Sequence, residues 1–195
     1  MPSKPRYTYD YPRPALTVDT AVFTTVEGRL HLLVIERAAD PFAGCWALPG
    51  GFVEEGEAPA AAAARELEEE TEVRLSAPPA PLGVYYAKGR DPRGWTVSLA
   101  HIAVVRADRH RPSGGDDAAA ATWLPIEELA GRLAFDHAEI VADARARLLA
   151  DVESGRVGGE LLPDSAKRAH VACMLEAVGS SLSPEAWRAR SRRAR

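Results

Sequence analysis

With 195 residues, a net charge of −4 and 46% hydrophobic residues, the chain can form one well-buried domain plus an appendage. It presents no global basic field for nucleic acid, and no apolar run approaches the ~20 residues that span a bilayer. The opening MPSKPRYTYDYPRPAL lacks the apolar stretch of a signal peptide, and Cys45 and Cys173 are isolated, so a cytoplasmic protein without membrane contact is expected.

Residues 1–14, rich in proline and tyrosine, predict an extended arm, either frayed or crossing to a partner subunit. Ala15 to Val26 is β-branched and partly alternating, Glu27-Gly28 marks a turn, and Arg29 to Glu36 reads as a second strand. A hairpin is predicted. After a loop containing Pro41, Cys45 to Leu48 predicts a short strand that delivers Pro49-Gly50-Gly51. Glycines 50 and 51 let the backbone approach a ligand closely, although an ordinary tight turn has the same signature.

From Pro59, a residue suited to a first helical turn, strong helix formers run toward Val73, and the prolines of 76–81 forbid continuation. Leu82 to Lys88 and Trp95 to Arg106 then flank GRDPRG, predicting a second hairpin with a basic tip. Ala118 to Leu124 returns as a strand, Pro125 opens a short helix, and Asp136 is a suitable N-cap for a helix running toward Asp151. His137 has no second histidine at helical spacing and reads as structural. Residues 15–151 thus form the expected domain, and 152–195 an extension. In that extension Gly155, Gly158, Gly159 and Pro163 interrupt the chain, Ala166 to Val178 predicts one helix, and the ending WRARSRRAR predicts a solvated basic tail.

On the helix from Pro59, Glu66, Glu69 and Glu70 stand at i, i+3 and i+4 and share one stripe, beside an apolar stripe of Ala60, Ala63, Ala64, Leu67 and Thr71. Carboxylates so spaced repel, and near a helix C-terminus the macrodipole also disfavours them, each effect costing a few tenths to about 1 kcal/mol. A hard divalent cation such as Mg²⁺ would compensate, since it takes oxygen ligands and bridges carboxylates to substrate phosphates. The bland alternative is a solvated acidic face with Arg65 partly neutralising Glu69.

The spacing from Gly51 through Glu57 to Arg65-Glu66-Leu67-Glu68-Glu69-Glu70 and Val73 resembles the Nudix box, G-x5-E-x7-R-E-U-x-E-E-x-G-U. Glu72 departs from it, standing where the family has glycine just past the helix, at a place suited to a left-handed conformation. The resemblance implies an α/β fold, the Nudix α/β/α sandwich with a mixed β-sheet, here with a short C-terminal helical extension. It further implies that Glu66, Glu69 and Glu70 hold Mg²⁺, with Mn²⁺ as a substitute, helped by a backbone carbonyl of Gly50 or Gly51. Glu57 and Arg65 would brace the loop against the helix.

GRDPRG, the following VSLAH, the opening YDYPRPALTVD and LAFDHAEI resemble the ADP-ribose pyrophosphatase branch of that family and its relatives, the Nudix-related regulators of NAD metabolism. By this resemblance the activity is hydrolysis of ADP-ribose to AMP and ribose 5-phosphate, and the partner is a second copy of the chain. Arg90 and Arg93 become candidates to hold phosphate or ribose. Trp46, Phe52, Tyr86 and Trp95 become candidates to stack on adenine, with core packing as the rival role of each. A general base would come from Glu54, Glu55, Asp116, Asp117 or a box glutamate. Two other readings stand beside this one: an ADP-ribose sensor acting through DNA, disfavoured by the shortness of 152–195 for a winged helix, and a Nudix hydrolase of another diphosphate.

Overall fold

The computed structural model describes residues 9–114, 118–162 and 167–194. Strand β1 (Ala15–Val26) returns through the turn at Glu27-Gly28 into β2 (Arg29–Arg37), as the hairpin pattern predicts. The two pair only between Phe23–Val26 and Arg29–Leu32, and then diverge. Into the opening fit β3 (Trp46–Ala47), paired to β2 at Ile35 and Glu36, and β4 (Gly50–Phe52), paired to β1 at Thr17, Val18 and Asp19. This splay makes the cleft.

The far edge of β1 pairs in parallel with β6 (Thr96–Val104), whose antiparallel neighbour β5 (Ala80–Tyr85) is the edge strand. Strand β7 (Ala118–Pro125) runs antiparallel along His31–Arg37 on the outer side of β2. A parallel pair among antiparallel ones makes the sheet mixed.

Side-chain alternation assigns each face of the sheet to a helix layer. Val18, Val22, Leu33, Leu99 and Val105 pack with Ala62, Ala63 and Leu67 of α1 (Pro59–Thr71). Phe23, Leu32, Val34, Ala100 and Ile102 point the other way, into a cluster with Ile140, Val141, Ala144 and Leu148 of α2 (His137–Ser154). The result is an α/β/α sandwich. Helix α1 ends at Glu72 with φ 59°, in the left-handed region, its N–H donating to the Glu68 carbonyl. The glutamate has thus kept the geometry that suits glycine.

The C-terminal residues depart from expectation in one respect. The helix predicted from Ala166 is α3 (Arg168–Ala177), and Pro163 and Ala166 lie outside the described residues. The basic ending, expected to be a solvated tail, is instead a fourth helix, α4 (Pro184–Arg193), capped by Ser183, whose Oγ accepts from the Ala186 N–H. Its one large apolar residue explains the change. Trp187 is buried beside Gly158 and joins Val171, Met174 and Leu175 in the same cluster as Phe23. A Cβ on Gly155 would lie 2.5 Å from the Ser191 backbone nitrogen, so α4 rests directly on the end of α2. Among the described residues no helix is long and apolar enough to cross a membrane.

Candidate active site

The loop from β4 into α1 is built on close approaches that a side chain would prevent. A Cβ on Gly50 would stand 2.1 Å from the Val18 carbonyl oxygen, and one on Gly51 would stand 2.4 Å from the carboxyl carbon of Glu66. At Gly50 the obstacle is backbone and only glycine fits, whereas at Gly51 it is the end of the Glu66 side chain, which a Cβ would push aside. The Gly50 N–H donates to Glu70 Oε2 at 2.8 Å, tying the loop to the last turn of the helix.

Arg65 secures the other end of this loop. Its Nε and Nη2 form a fork on the Glu57 carboxylate, both at 2.9 Å, and Nη2 also donates to the Phe52 carbonyl at 3.1 Å. Its Nη1 reaches Glu66 at 2.8 Å and Glu69 at 2.9 Å. The guanidinium fork holds Glu57 well below the usual carboxylate range, at about 2. Glu66 is pushed the other way, first by burial. Glu70, only 8% exposed, is pushed up to about 8, first by burial and then by the charges of Glu66 and Asp19.

These groups line a cleft of about 950 Å³, a size suited to a nucleotide. Gly50, Gly51, Phe52, Glu54, Glu55, Arg65, Glu66, Glu70, Arg90 and Arg93 all border it. Glu69 does not; it is the outermost of the three stripe glutamates and lies on Arg65. Glu57 is likewise withdrawn onto Arg65. Three of the four aromatic candidates lie elsewhere. Trp46, paired to β2, packs against the main core, and Tyr86, just past edge strand β5, is 70% exposed on a separate groove beside α2. Trp95 is also outside the cleft, on the surface. Asp116 and Asp117 lie outside the described residues.

Beneath the cleft runs a buried polar cluster. Asp19 of β1 accepts from Ser98 Oγ of β6, and its other oxygen is 3.2 Å from His137 Nε2. The Leu48 N–H donates to His137 Nδ1 at 2.9 Å, so Nδ1 carries no proton and the Nε2 N–H is the donor to Asp19. His137 therefore orients an acid at the floor of the cleft. Arg90 is the cluster's cation, bonded to Asp136 through Nε at 2.8 Å and Nη2 at 2.7 Å, with Nη2 also 3.4 Å from Asp19. Burial by itself would raise Asp19, but His137, Ser98 and Arg90 together hold it below its ordinary value. Asp136 spends its carboxylate on Arg90 and makes no side-chain cap on α2, contrary to the capping expectation. Arg93 is clasped by Asp91, with Nη2 2.8 Å from Oδ2.

Asp19, Arg37, Asp40 and Phe135 also border the cleft and were absent from the sequence-derived set. Asp19 alone left a signal: a single acid inside an otherwise apolar strand is costly unless partnered.

Among the described residues no group of three or more histidine, cysteine, aspartate or glutamate side chains stands ready to hold a metal. Arg65 explains this, since it draws Glu66 and Glu69 to itself while Gly50 engages Glu70. The donor chemistry still fits a hard cation. Glu66, Glu70 and the Gly50–Gly51 backbone offer oxygen ligands, and a cation would favour the ionised form of Glu70, which burial first and the charges of Glu66 and Asp19 after it disfavour.

A mixed sheet splayed around a glycine loop, with a glutamate-bearing helix opening into a nucleotide-sized cleft, is an arrangement that can hold a hard cation against an anionic ligand. The chain belongs to the Nudix family, whose domain matches residues 15–144. Over 133 residues it is 41% identical to an ADP-ribose pyrophosphatase of Methanocaldococcus jannaschii, covering 68% of this chain and 74% of that protein. It is 37% identical over 142 residues to the ADPR responsive transcriptional repressor NtrR of Acinetobacter baylyi, covering 71% of this chain but only 56% of the repressor. Among solved structures, a MutT/nudix family protein from Enterococcus faecalis superposes with a TM-score of 0.81 at 26% identity, covering 96% of this chain and 84% of that one. Shewanella oneidensis NrtR complexed with a 27mer DNA gives 0.76 at 27% identity, covering 91% and 82%.

Proposed function

We propose that the chain is a Mg²⁺-dependent Nudix hydrolase that cleaves the diphosphate of ADP-ribose into AMP and ribose 5-phosphate, with Mn²⁺ able to replace Mg²⁺. The observation that carries this reading is the convergence of Glu66, Glu70 and the Gly50–Gly51 backbone on one cleft of about 950 Å³. A bound cation would supply charge neutralisation at the bridging phosphates and a more acidic water. The chain's own residues do the positioning. Arg65 and Glu57 hold the loop against α1, and the Gly50 N–H fixes Glu70. Arg90 and His137 hold Asp19 in place beneath the diphosphate. Phe52, half exposed at the rim, is the remaining aromatic candidate for adenine. Glu54 and Glu55 border the cleft and are the candidates for the general base.

In this reading 15–151 is the catalytic domain, 152–195 is an extension docked on α2, and the protein works in the cytoplasm as a homodimer. Exposed Leu16, Val84 and Trp95 lie on neighbouring strands or their ends, and are apolar surface a second copy would cover. The test is product analysis with ADP-ribose and Mg²⁺, accompanied by light scattering. AMP release is expected, and Glu70→Gln should abolish it while the fold persists. Glu69→Gln, removing a carboxylate now parked on Arg65, should do the same if that side chain swings to the cation. No AMP with any divalent ion would sink the proposal.

A second reading is an ADP-ribose-responsive regulator. Its support is the likeness to the DNA-bound protein over 91% of this chain, more than the Nudix domain at 15–144 accounts for, together with the exposed Arg192 and Arg193 on α4. Tight, salt-dependent binding of a specific DNA site, released by ADP-ribose, would favour it.

A further inference from the structure

Arg37, the last residue of β2, is fixed in place more thoroughly than a surface cation requires. The register of β2 against β7 slips between Glu36 and Arg37, the kind of bulge that re-aims a side chain beside a site. The loop that follows closes on its backbone: the Arg37 N–H donates to the Cys45 carbonyl at 3.0 Å and the Gly44 N–H to the Arg37 carbonyl at 2.8 Å. The side chain then bends back into the same loop. Its Nε donates to the Pro41 carbonyl at 2.8 Å and its Nη2 to that of Ala39 at 3.2 Å. Its guanidinium carbon lies 4.8 Å from the centre of the Phe135 ring.

Phe135 is itself unusual, having φ 53°, a left-handed conformation rarely held by a bulky residue. Phe42, the neighbour it meets edge-on at 4.8 Å, has φ 68°. Such backbone strain persists only where surrounding structure enforces it, and it clusters at ligand clamps. Arg37 and Phe135 both border the cleft that Glu66 and Glu70 line.

We propose that Arg37, held by the aromatic face of Phe135, is the cation that grips the substrate's diphosphate in the cleft that Glu66 and Glu70 line. This rests on the diphosphate reading of the cleft given above. A diphosphate bridging to carboxylates through a metal still carries negative charge on its outer oxygens, and a guanidinium fixed in orientation binds such oxygens without ordering cost. Phe135 is then a positioning residue, acting through Arg37 and not on the substrate.

The experiment is calorimetric binding of ADP-ribose in EDTA, competition by inorganic pyrophosphate, and steady-state kinetics with Mg²⁺, using wild type, Arg37→Gln, Arg37→Lys, Phe135→Leu and the Arg37→Gln/Phe135→Leu double variant. Arg37→Gln should weaken ADP-ribose and pyrophosphate binding about tenfold or more and raise KM in proportion. Arg37→Lys should recover part of the loss, because it restores charge without the planar fork. Phe135→Leu should weaken binding a few-fold alone, about the value of a cation–π contact, and add nothing when combined with Arg37→Gln.

Unchanged affinity in both Arg37 variants, with melting temperatures near wild type, overturns the inference. So does a Phe135→Leu effect of equal size with and without Arg37→Gln. Wild type that binds ADP-ribose without turnover sinks the hydrolase reading alone, since the affinity ratios still judge Arg37. Turnover with unchanged KM and affinity in Arg37→Gln sinks Arg37 alone, and wild type that binds no diphosphate sinks both.

Discussion

Replacing Glu70 by glutamine is expected to make the metal-free protein more stable near pH 8, although it removes a residue central to the site. Burial, followed by the charges of Glu66 and Asp19, lifts this carboxyl from 4.5 to about 8. A raised acid binds its proton more tightly folded than unfolded, so its contribution to stability is whole below pH 4.5 and is progressively lost as pH climbs to 8. At about 1.4 kcal/mol per pKa unit, the span from 4.5 to about 8 amounts to about 5 kcal/mol at its limit and about 3 kcal/mol at pH 7. Glutamine keeps an acceptor for the Gly50 N–H and never ionises, so the variant escapes that loss.

His101 and His110 titrate with the opposite sign. Burial lowers both, so each adds stability as pH rises toward 6.5. The wild-type curve alone is therefore not diagnostic, and the difference between wild type and variant reads Glu70 together with its coupling to Glu66 and Asp19. Urea denaturation in EDTA from pH 5 to 8.5 measures it. The variant should gain steadily on wild type across that range, by about 3 kcal/mol or more at the top. Saturating Mg²⁺ should shrink the gap, because a cation on Glu70 favours the ionised carboxylate and stabilises only the protein that has it. A difference flat to within about 0.5 kcal/mol over the range would refute the picture of a crowded, buried acid waiting for a cation.

Two further outcomes follow from the packing. Glu72→Gly should relieve the left-handed strain at φ 59° and stabilise the protein by about 1 kcal/mol, raising Tm by about 2–4 °C in a thermal melt, whereas Glu72→Ala, which keeps the Cβ, should give no such gain. Trp187→Ala should cost about 3–5 kcal/mol by urea denaturation, because the indole anchors α4 on the common core. Among the described residues its Nε1 has no hydrogen-bond partner, so Trp187→Phe should lose far less; equal losses would show that packing is not what holds α4.

Much of this protein could be read along the chain because the signals are local. The periodicity of 15–37 and 82–106, the glycine pair, Pro59 and the i, i+3, i+4 glutamates each depend on neighbours a few residues away, and the box motif names both a loop and the helix that follows it. The box position of Glu72 pointed to the left-handed backbone found there as one of two possible helix exits. The fate of α4 was less local: WRARSRRAR reads as a basic tail until Trp187 meets a surface formed by Gly158, Val171 and Leu175.

Only the folded chain could decide what long-range pairing brings together. Asp19, Ser98, Arg90 and His137 are separated by up to 118 positions of chain and meet because β1 lies parallel to β6 while α2 begins beside β1. Burial under distant strands likewise separated Glu66 and Glu70, which border the cleft, from Glu69, which stays outside it on the Arg65 pair that i, i+4 spacing already offered. Helical spacing sets which glutamates share a stripe, but burial and partner charges, which depend on distant strands, set which of them can meet a substrate.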